Sequence, residues 1–206
     1  MSNIELTFIN NSNDQNNSEV LIFQRNVATN FDEIAVAWRV IQNLGRGDYH
    51  PFTYPYKSYG AAADSYGNFT PQMPVDNGQQ YAMVKDPSGD VFKHIGPGAS
   101  PKAIEIANDL QQGAINGLIY KDGKLFAQKN NLAPGQKAVF EFKPTLYIGV
   151  VSQVEEGQVI NSAIISQVNT ELSLLGIASA DIIMTGGGPG KDATPFEFHL
   201  ENIVYA

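Results

Sequence analysis

The chain has 206 residues and a net charge of −8 at pH 7, with 13 Lys and Arg against 21 Asp and Glu. It contains no cysteine, which excludes disulfides, thiolate metal centres and a cysteine nucleophile. The few cations form no basic stripe, which argues against nucleic acid as a partner and leaves only weak attraction to anionic lipid.

With 19 glycines and 11 prolines among many Tyr, Phe, Val and Ile, the composition points to short strands joined by tight turns. The first residues, MSNIELTFINNSNDQNNS, hold neither a basic n-region nor a long apolar run, so no classical signal peptide is expected. No stretch approaches the ~20 apolar residues that span a bilayer. The expected location is cytoplasmic, or outside the cell by a leaderless route.

Ile4, Leu6 and Phe8 alternate with Glu5 and Thr7, the pattern of a strand with one buried face. Asn10–Ser18 is polar and reads as a loop, because its side chains compete with backbone pairing. Glu19–Asn26 reads as a second strand, so residues 4–26 are expected to form a hairpin with a long tip. Ile34, Val36, Trp38 and Val40 alternate as a strand does, with Asn30–Asp32 as the cap of an alternative helix. Strands are expected at Tyr81–Val84 and Val91–Ile95, around the turn Asp86-Pro87-Ser88-Gly89. Ser100-Pro101 has the form of a helix start, and Ala103, Ile104, Ala107 and Leu110 share one helical face. Ile115–Lys129 is a hairpin around Asp122-Gly123, a type I′ turn pair.

Leu132–Val151, LAPGQKAVFEFKPTLYIGVV, carries the strongest structural signal: a turn, a strand, a proline break and a second strand. Phe140, Phe142, Leu146, Ile148 and Val150 are expected in the core. Ile160, Ile164, Val168 and Leu172 recur at helical spacing, and Gly176 ends that pattern. Asp181–Met184 is read as a short strand, Gly186–Gly190 as a flexible loop and Pro195–Tyr205 as a final strand. Strands and helices do not alternate regularly, which disfavours a doubly wound α/β sheet. The expected architecture is one β-rich domain over residues 1–206, an antiparallel β-sandwich of immunoglobulin-like or jelly-roll-like kind. Helices at about 157–175 and at 101–112 would cover it.

The turn Leu132-Ala133-Pro134-Gly135-Gln136 before an alternating strand resembles the L-x-P-G-Q turn of many immunoglobulin-like and related sandwich domains. A small acidic β-protein with a tyrosine-rich loop also resembles bacterial and fungal sandwich lectins and membrane-binding cytolysins. The first resemblance implies fold alone, and neither carries over functional positions.

Each chemical candidate has an ordinary structural explanation. His50, His94 and His199, with Glu197 or Glu201, could form a two-histidine, one-carboxylate iron site, but no two histidines have ligand spacing. Glu197, His199 and Glu201 share one face of the last strand, opposite Phe196, Phe198 and Leu200. Glu155-Glu156 suits the first turn of a helix, where carboxylates oppose the positive dipole end. Thr185-Gly186-Gly187-Gly188-Pro189-Gly190-Lys191 fails the phosphate-loop spacing and has Asp192 where a hydroxyl is needed. There is no G-x-S-x-G elbow. Arg46-Gly47-Asp48 matches an adhesion tripeptide but is also ordinary turn chemistry. The triplets starting at Asn10, Asn16 and Asn68 fit the glycosylation pattern, and the Asn-rich loop is too poor in charge for calcium.

The remaining feature is aromatic. Tyr49, Phe52, Tyr54, Tyr56, Tyr59 and Tyr66 crowd a Pro- and Gly-rich segment and are the candidate binding residues, flat apolar rings with polar tips. The alternative is that these rings cover the core. The expected function is therefore non-enzymatic: a binding or self-assembling protein, its partner itself or another protein. The contacts would be made at strand edges (4–8 and 196–205) and at the aromatic loop. Two alternatives stay open: a lectin-like or membrane-active module using residues 49–69 on a glycan or lipid surface, and a metal-dependent enzyme using the dispersed histidines. No cofactor is expected.

Overall fold

The computed structural model describes residues 3–28, 35–168 and 170–206. In chain order its strands are β1 (Ile4–Asn10), β2 (Glu19–Phe23), β3 (Ala35–Val36), β4 (Arg39–Ile41), β5 (Tyr49–Tyr54), β6 (Ser58–Asp64), β7 (Met73–Val75), β8 (Gln79–Asp86) and β9 (Gly89–Pro97). They continue as β10 (Ile104–Asn108), β11 (Ile115–Lys121), β12 (Lys124–Leu132), β13 (Lys137–Phe140), β14 (Thr145–Val151), β15 (Val159–Ile160), β16 (Thr170–Ser173), β17 (Ile177–Gly187) and β18 (Thr194–Tyr205). One helix, α1 (Ser162–Gln167), lies between β15 and β16. The protein is mostly β, with several sheets and one short helix, and has the layered build of a β-sandwich with a covering helix. No helix among the described residues is long and apolar enough to cross a membrane.

The chain divides into two compact units interleaved in sequence, one from the described residues of 1–24, 34–56 and 144–206, the other from those of 25–33 and 57–143. The first unit has one sheet in the order β18-β17-β1-β5, one in the order β16-β14-β2-β4, and the short ladder β15-β3. Strand β1 buries alternate residues, Ile4, Leu6 and Phe8. Strand β2 is apolar at four consecutive positions because both of its faces are covered. Leu21 and Phe23 cluster with Ala35, Ala37, Val151, Val154, Ile160 and Val168, and Ile164 and Ile165 of α1 pack onto that cluster. Trp38, between β3 and β4, meets the rings of Phe52 and Tyr54 on β5, so it ties the two large sheets together.

The second unit has the sheets β13-β10-β8-β9 and β12-β11-β6-β7. They face each other closely at Gly117 of β11, where an added Cβ would sit 3.2 Å from the Ile106 side chain of β10. Strand β10 is buried at all five positions, Glu105 included. The Glu105 carboxylate is held by Lys137 Nζ at 2.7 Å and by the Ala99 N–H at 2.8 Å. Burial pushes this carboxyl up, and the two hydrogen bonds with the Lys137 charge outweigh it, so its pKa lies below the ordinary value.

Several expectations change. The helix expected at 101–112 is strand β10: Ile104 and Ile106 are β-branched, both faces of the segment are buried, and Ser100-Pro101 only opens a turn. The helix expected at 157–175 shrinks to α1. Its N-cap is Asn161, whose side chain accepts from the Ile164 N–H, and Val168 leaves the helix with extended backbone. Thr170–Ser173 then pairs with β14, which satisfies its backbone through the sheet. Residues 4–26 are not a hairpin, since β1 and β2 belong to different sheets. The turn between them is built by its own side chains, with Ser12 Oγ donating to Asn10 Oδ1 and the Ser18 N–H to Asp14 Oδ2, both at 2.6 Å. Within 34–41 the strand reading is correct for the described part, β3 and β4; Ile34 and the Asn30–Asp32 cap lie outside the described residues.

The stretch 132–151 contains both expected strands, yet β13 and β14 lie in different sheets, and Pro144 opens a segment of the first unit. Phe140, Leu146 and Ile148 are buried, while Phe142 and Val150 are half-buried. Two pairings, β1 with β17 and β8 with β10, are parallel, so two of the sheets are mixed rather than antiparallel.

Candidate functional site

The aromatic segment is not a loop. Its first half is β5, an edge strand that tolerates Pro51, and its second half is β6. Period-2 alternation turns Phe52 and Tyr54 inward, where they are 6 % and 4 % exposed. The Trp38 ring lies 6.1 Å from Phe52 and 5.8 Å from Tyr54, edge-on to both. The Arg39 guanidinium stands 4.9 Å from the Trp38 ring. Burial raises the Tyr54 hydroxyl pKa well above its ordinary value, with a smaller push from Tyr56. Phe52 and Tyr54 thus pack in the core, so their place in the candidate binding set is corrected. Tyr56 is half-buried, and Tyr49, Tyr59 and Tyr66 are exposed.

Tyr66 is 90 % exposed at a rigid turn. The Asp64 carboxylate accepts from the N–H groups of Tyr66 and Asn68, both at 2.9 Å, and from the Asn68 side chain at 2.8 Å. These bonds, that of the Asn68 side chain above all, hold the Asp64 pKa below the ordinary value. The Asn68-Phe69-Thr70 triplet therefore has its amide engaged, and its Thr70 is buried with Oγ1 accepting from Ala62 N–H.

The other sequence candidates resolve into structure. Among the described residues no group of three or more His, Asp or Glu could hold a metal ion. His199 pairs with Glu201 at 2.9 Å on an exposed face. Glu155-Glu156 precede β15 in a turn and are not in the first turn of a helix. Arg46-Gly47-Asp48 is held against the neighbouring chain: Arg46 donates to Asn13 Oδ1 at 2.7 Å, Gly47 N–H to Asn10 O at 2.6 Å, and the Asp48 carboxylate accepts from Gly45 N–H. Gly186 and Gly187, expected in a flexible loop, belong to β17. The Asn13 N–H donates to Gly186 O at 2.7 Å, which fixes the segment against the 11–14 turn.

One polar arrangement emerges only from the fold. In the second unit an open cleft of about 350 Å³ is lined by Met73, Pro74, Asp76, Gln79, Tyr81 and His94. Strand β7 brings Met73 and Pro74, the following turn brings Asp76, and the β8–β9 pair brings the rest. His94 Nε2 lies 2.8 Å from Gln79 Oε1. The Tyr81 ring stacks on Phe92 and meets the His94 ring at a tilt, and its hydroxyl accepts from the Asp76 N–H at 3.0 Å. Burial raises the Tyr81 pKa. His94 was visible in the sequence as a histidine; Asp76 and Gln79 carried no signal beyond turn and strand chemistry.

Lys121, near the tip of the β11–β12 hairpin, is buried, with its ammonium 5.4 Å from the Phe126 ring. Burial lowers its pKa from 10.5 to about 8. The unfolded chain therefore binds more protons between those two values, and stability rises with pH across that window. The raised pKa of Tyr54 acts the other way once tyrosines of the unfolded chain ionise above about pH 10. Lys121→Met keeps the stem and removes the charge. We expect it to flatten the rise in stability from pH 8 to 10. Urea midpoints measured at both pH values test this; an unchanged rise in the variant assigns it elsewhere.

Comparison with known protein families, curated proteins and solved structures found no match for the chain.

Proposed function

We propose that the protein is a non-enzymatic binding protein that self-associates through the outer edge of β18. The observation that carries this reading is the strand itself. Its twelve residues pair with β17 on one side and with no described strand on the other. Such an edge presents unpaired N–H and C=O groups, a template for a second strand. Its first eight residues carry protection, with Pro195 near the start and Glu197 and Glu201 along it. Its last residues do not. Val204 and Tyr205 are 55 % and 70 % exposed, Ile203 joins them, and Leu175 lies beside them, since Tyr205 pairs with Ile177 and Ala206 N–H donates to Gly176 O. A bulge at Asn202, whose φ is +50° and whose amide holds Asp181, re-aims this apolar end. Antiparallel pairing of two such ends gives a two-fold, self-complementary contact. The other expected edge, residues 4–8, is ruled out, because β1 lies between β17 and β5. In this reading the protein acts in the cytoplasm, or outside the cell after leaderless export.

Light scattering on the full chain at high micromolar concentration is expected to give a dimer. Val204→Lys with Tyr205→Lys is expected to give a monomer with an unchanged thermal midpoint. A strictly monomeric wild-type protein overturns the reading.

A second reading has support from Tyr66 and Phe69, the two rings displayed around the Asp64 turn. Amphipathic rings on a rigid turn suit a glycan or a lipid interface. Glycan-array and liposome-sedimentation signals that disappear in Tyr66→Ala with Phe69→Ala would favour it over the first.

A further inference from the structure

We infer that the cleft between β7 and the β8–β9 pair is a binding site for a small polyhydroxylated ligand of the monosaccharide class, held by Asp76, Gln79 and His94. The chemistry of the lining leads there by elimination. The Asp76 carboxylate is exposed and takes no hydrogen bond from a described group; only its backbone N–H is engaged. It repels anions. A cation would need more than that one carboxylate, and the natural supplement, an aromatic face, is taken. The Tyr81 ring is buried, stacked on Phe92 at 5.9 Å and met by the tilted His94 ring at 5.3 Å. A purely apolar ligand would bury a carboxylate, an amide and an imidazole without partners.

A polyol fits all three. Asp76 offers two acceptor oxygens, which match adjacent hydroxyl groups. Gln79, whose Oε1 faces His94, keeps both amide hydrogens for donation. The second ring nitrogen of His94 adds a further acceptor or donor according to its protonation. The Tyr81 hydroxyl, already accepting from the Asp76 N–H, fixes the backbone from which the carboxylate projects. Pro74 and Met73 supply the apolar wall that the C–H face of a sugar ring requires. The volume of about 350 Å³ lies at the small end of the range for ligand sites, which sets the ligand at one or two rings.

The site is open to solvent, so affinity is modest, with a Kd of about 1 mM for a single methyl glycoside. The test is a titration of the uniformly 15N-labelled full chain with methyl α-glucoside, methyl α-galactoside and methyl α-mannoside, followed by amide chemical shifts. Saturable shifts confined to residues 73–81 and 92–96, for at least one glycoside, are the expected result. Asp76→Ala and Gln79→Ala are each expected to weaken that binding tenfold or more. Both variants are expected to keep the native spectrum, because the Asp76 carboxylate supports no other group and Gln79 bonds only to an exposed His94. Tyr66→Ala, remote in role, is expected to bind as the wild type does. Absence of saturable shifts with all three glycosides overturns the proposal, as does binding undiminished in both variants. Shifts at the same residues with tetramethylammonium and none with glycosides make it a cation site and also overturn it. The self-association reading is independent: β18 variants are expected to leave the glycoside shifts unchanged.

Discussion

Gly186→Ala is expected to destabilise the protein by about 4 kcal/mol, a large share of the roughly 5–15 kcal/mol that holds a domain of ordinary stability. The residue has φ +87°, and an added Cβ would collide with Pro195 O and fall 2.9 Å from its carbonyl carbon. Both atoms are backbone, so no rotamer relieves the clash. The strain of a left-handed alanine adds about 1–2 kcal/mol. To make room, β18 must shift from β17, and the Asn13 N–H to Gly186 O bond on the other side moves with it. Gly190 supplies the control: its φ is +53° and nothing lies within 4 Å of its added Cβ. Gly190→Ala should cost about 1 kcal/mol. Urea denaturation followed by far-ultraviolet circular dichroism measures both, and equal costs at the two positions would mean that the turn yields.

Trp38→Ala should cost about 3–5 kcal/mol, the range for removing a large buried ring. Trp38 is fully buried between two strands too short to be held by their own ladders, β3 and β4. Its ring faces the edges of Phe52 and Tyr54 and carries the Arg39 guanidinium on its face. Removal leaves a cavity beside two aromatics and takes away the ring under the Arg39 guanidinium. Tyr49→Ala on the same strand, β5, is expected to change stability by less than about 0.5 kcal/mol, because Tyr49 is exposed. Chemical denaturation of the two variants reads the difference. A costly Tyr49→Ala and a cheap Trp38→Ala would reverse the assignment of the aromatic segment.

The alternation of Ile4, Leu6 and Phe8, the Asp122-Gly123 turn and the strands around Pro144 were legible because each rests on local geometry. The φ values of Asp122 and Gly123 are +53° and +70°, as a type I′ turn demands. Period 2 and turn chemistry are properties of neighbouring residues, so one sequence suffices. The two helices were misread for a related reason. Ile160, Ile164, Val168 and Leu172 satisfy helical spacing, but a strand, a one-and-a-half-turn helix and another strand also place them all against core. Ala103–Leu110 likewise fits a helical face, although β10 is buried on both sides, a state in which strand periodicity vanishes.

The candidate sites divide the same way. A tyrosine count could flag residues 49–66, but only the placement of Trp38 decided that Phe52 and Tyr54 face it while Tyr49 and Tyr66 face water. Asp76, Gln79 and His94 come together through pairing of β8 with β9 and the turn after β7, and nothing in their local sequence announces it.

By itself the sequence determined the strand-rich class, the lack of thiol chemistry and the net negative charge, because composition and local periodicity act without long-range contacts. The tertiary structure alone decided which strand is an edge, which aromatic is core and which polar residues share a cleft. Those are matters of pairing between segments far apart in the chain, where β1 meets β17 across more than 160 residues, and pairing partners leave no trace in either strand alone.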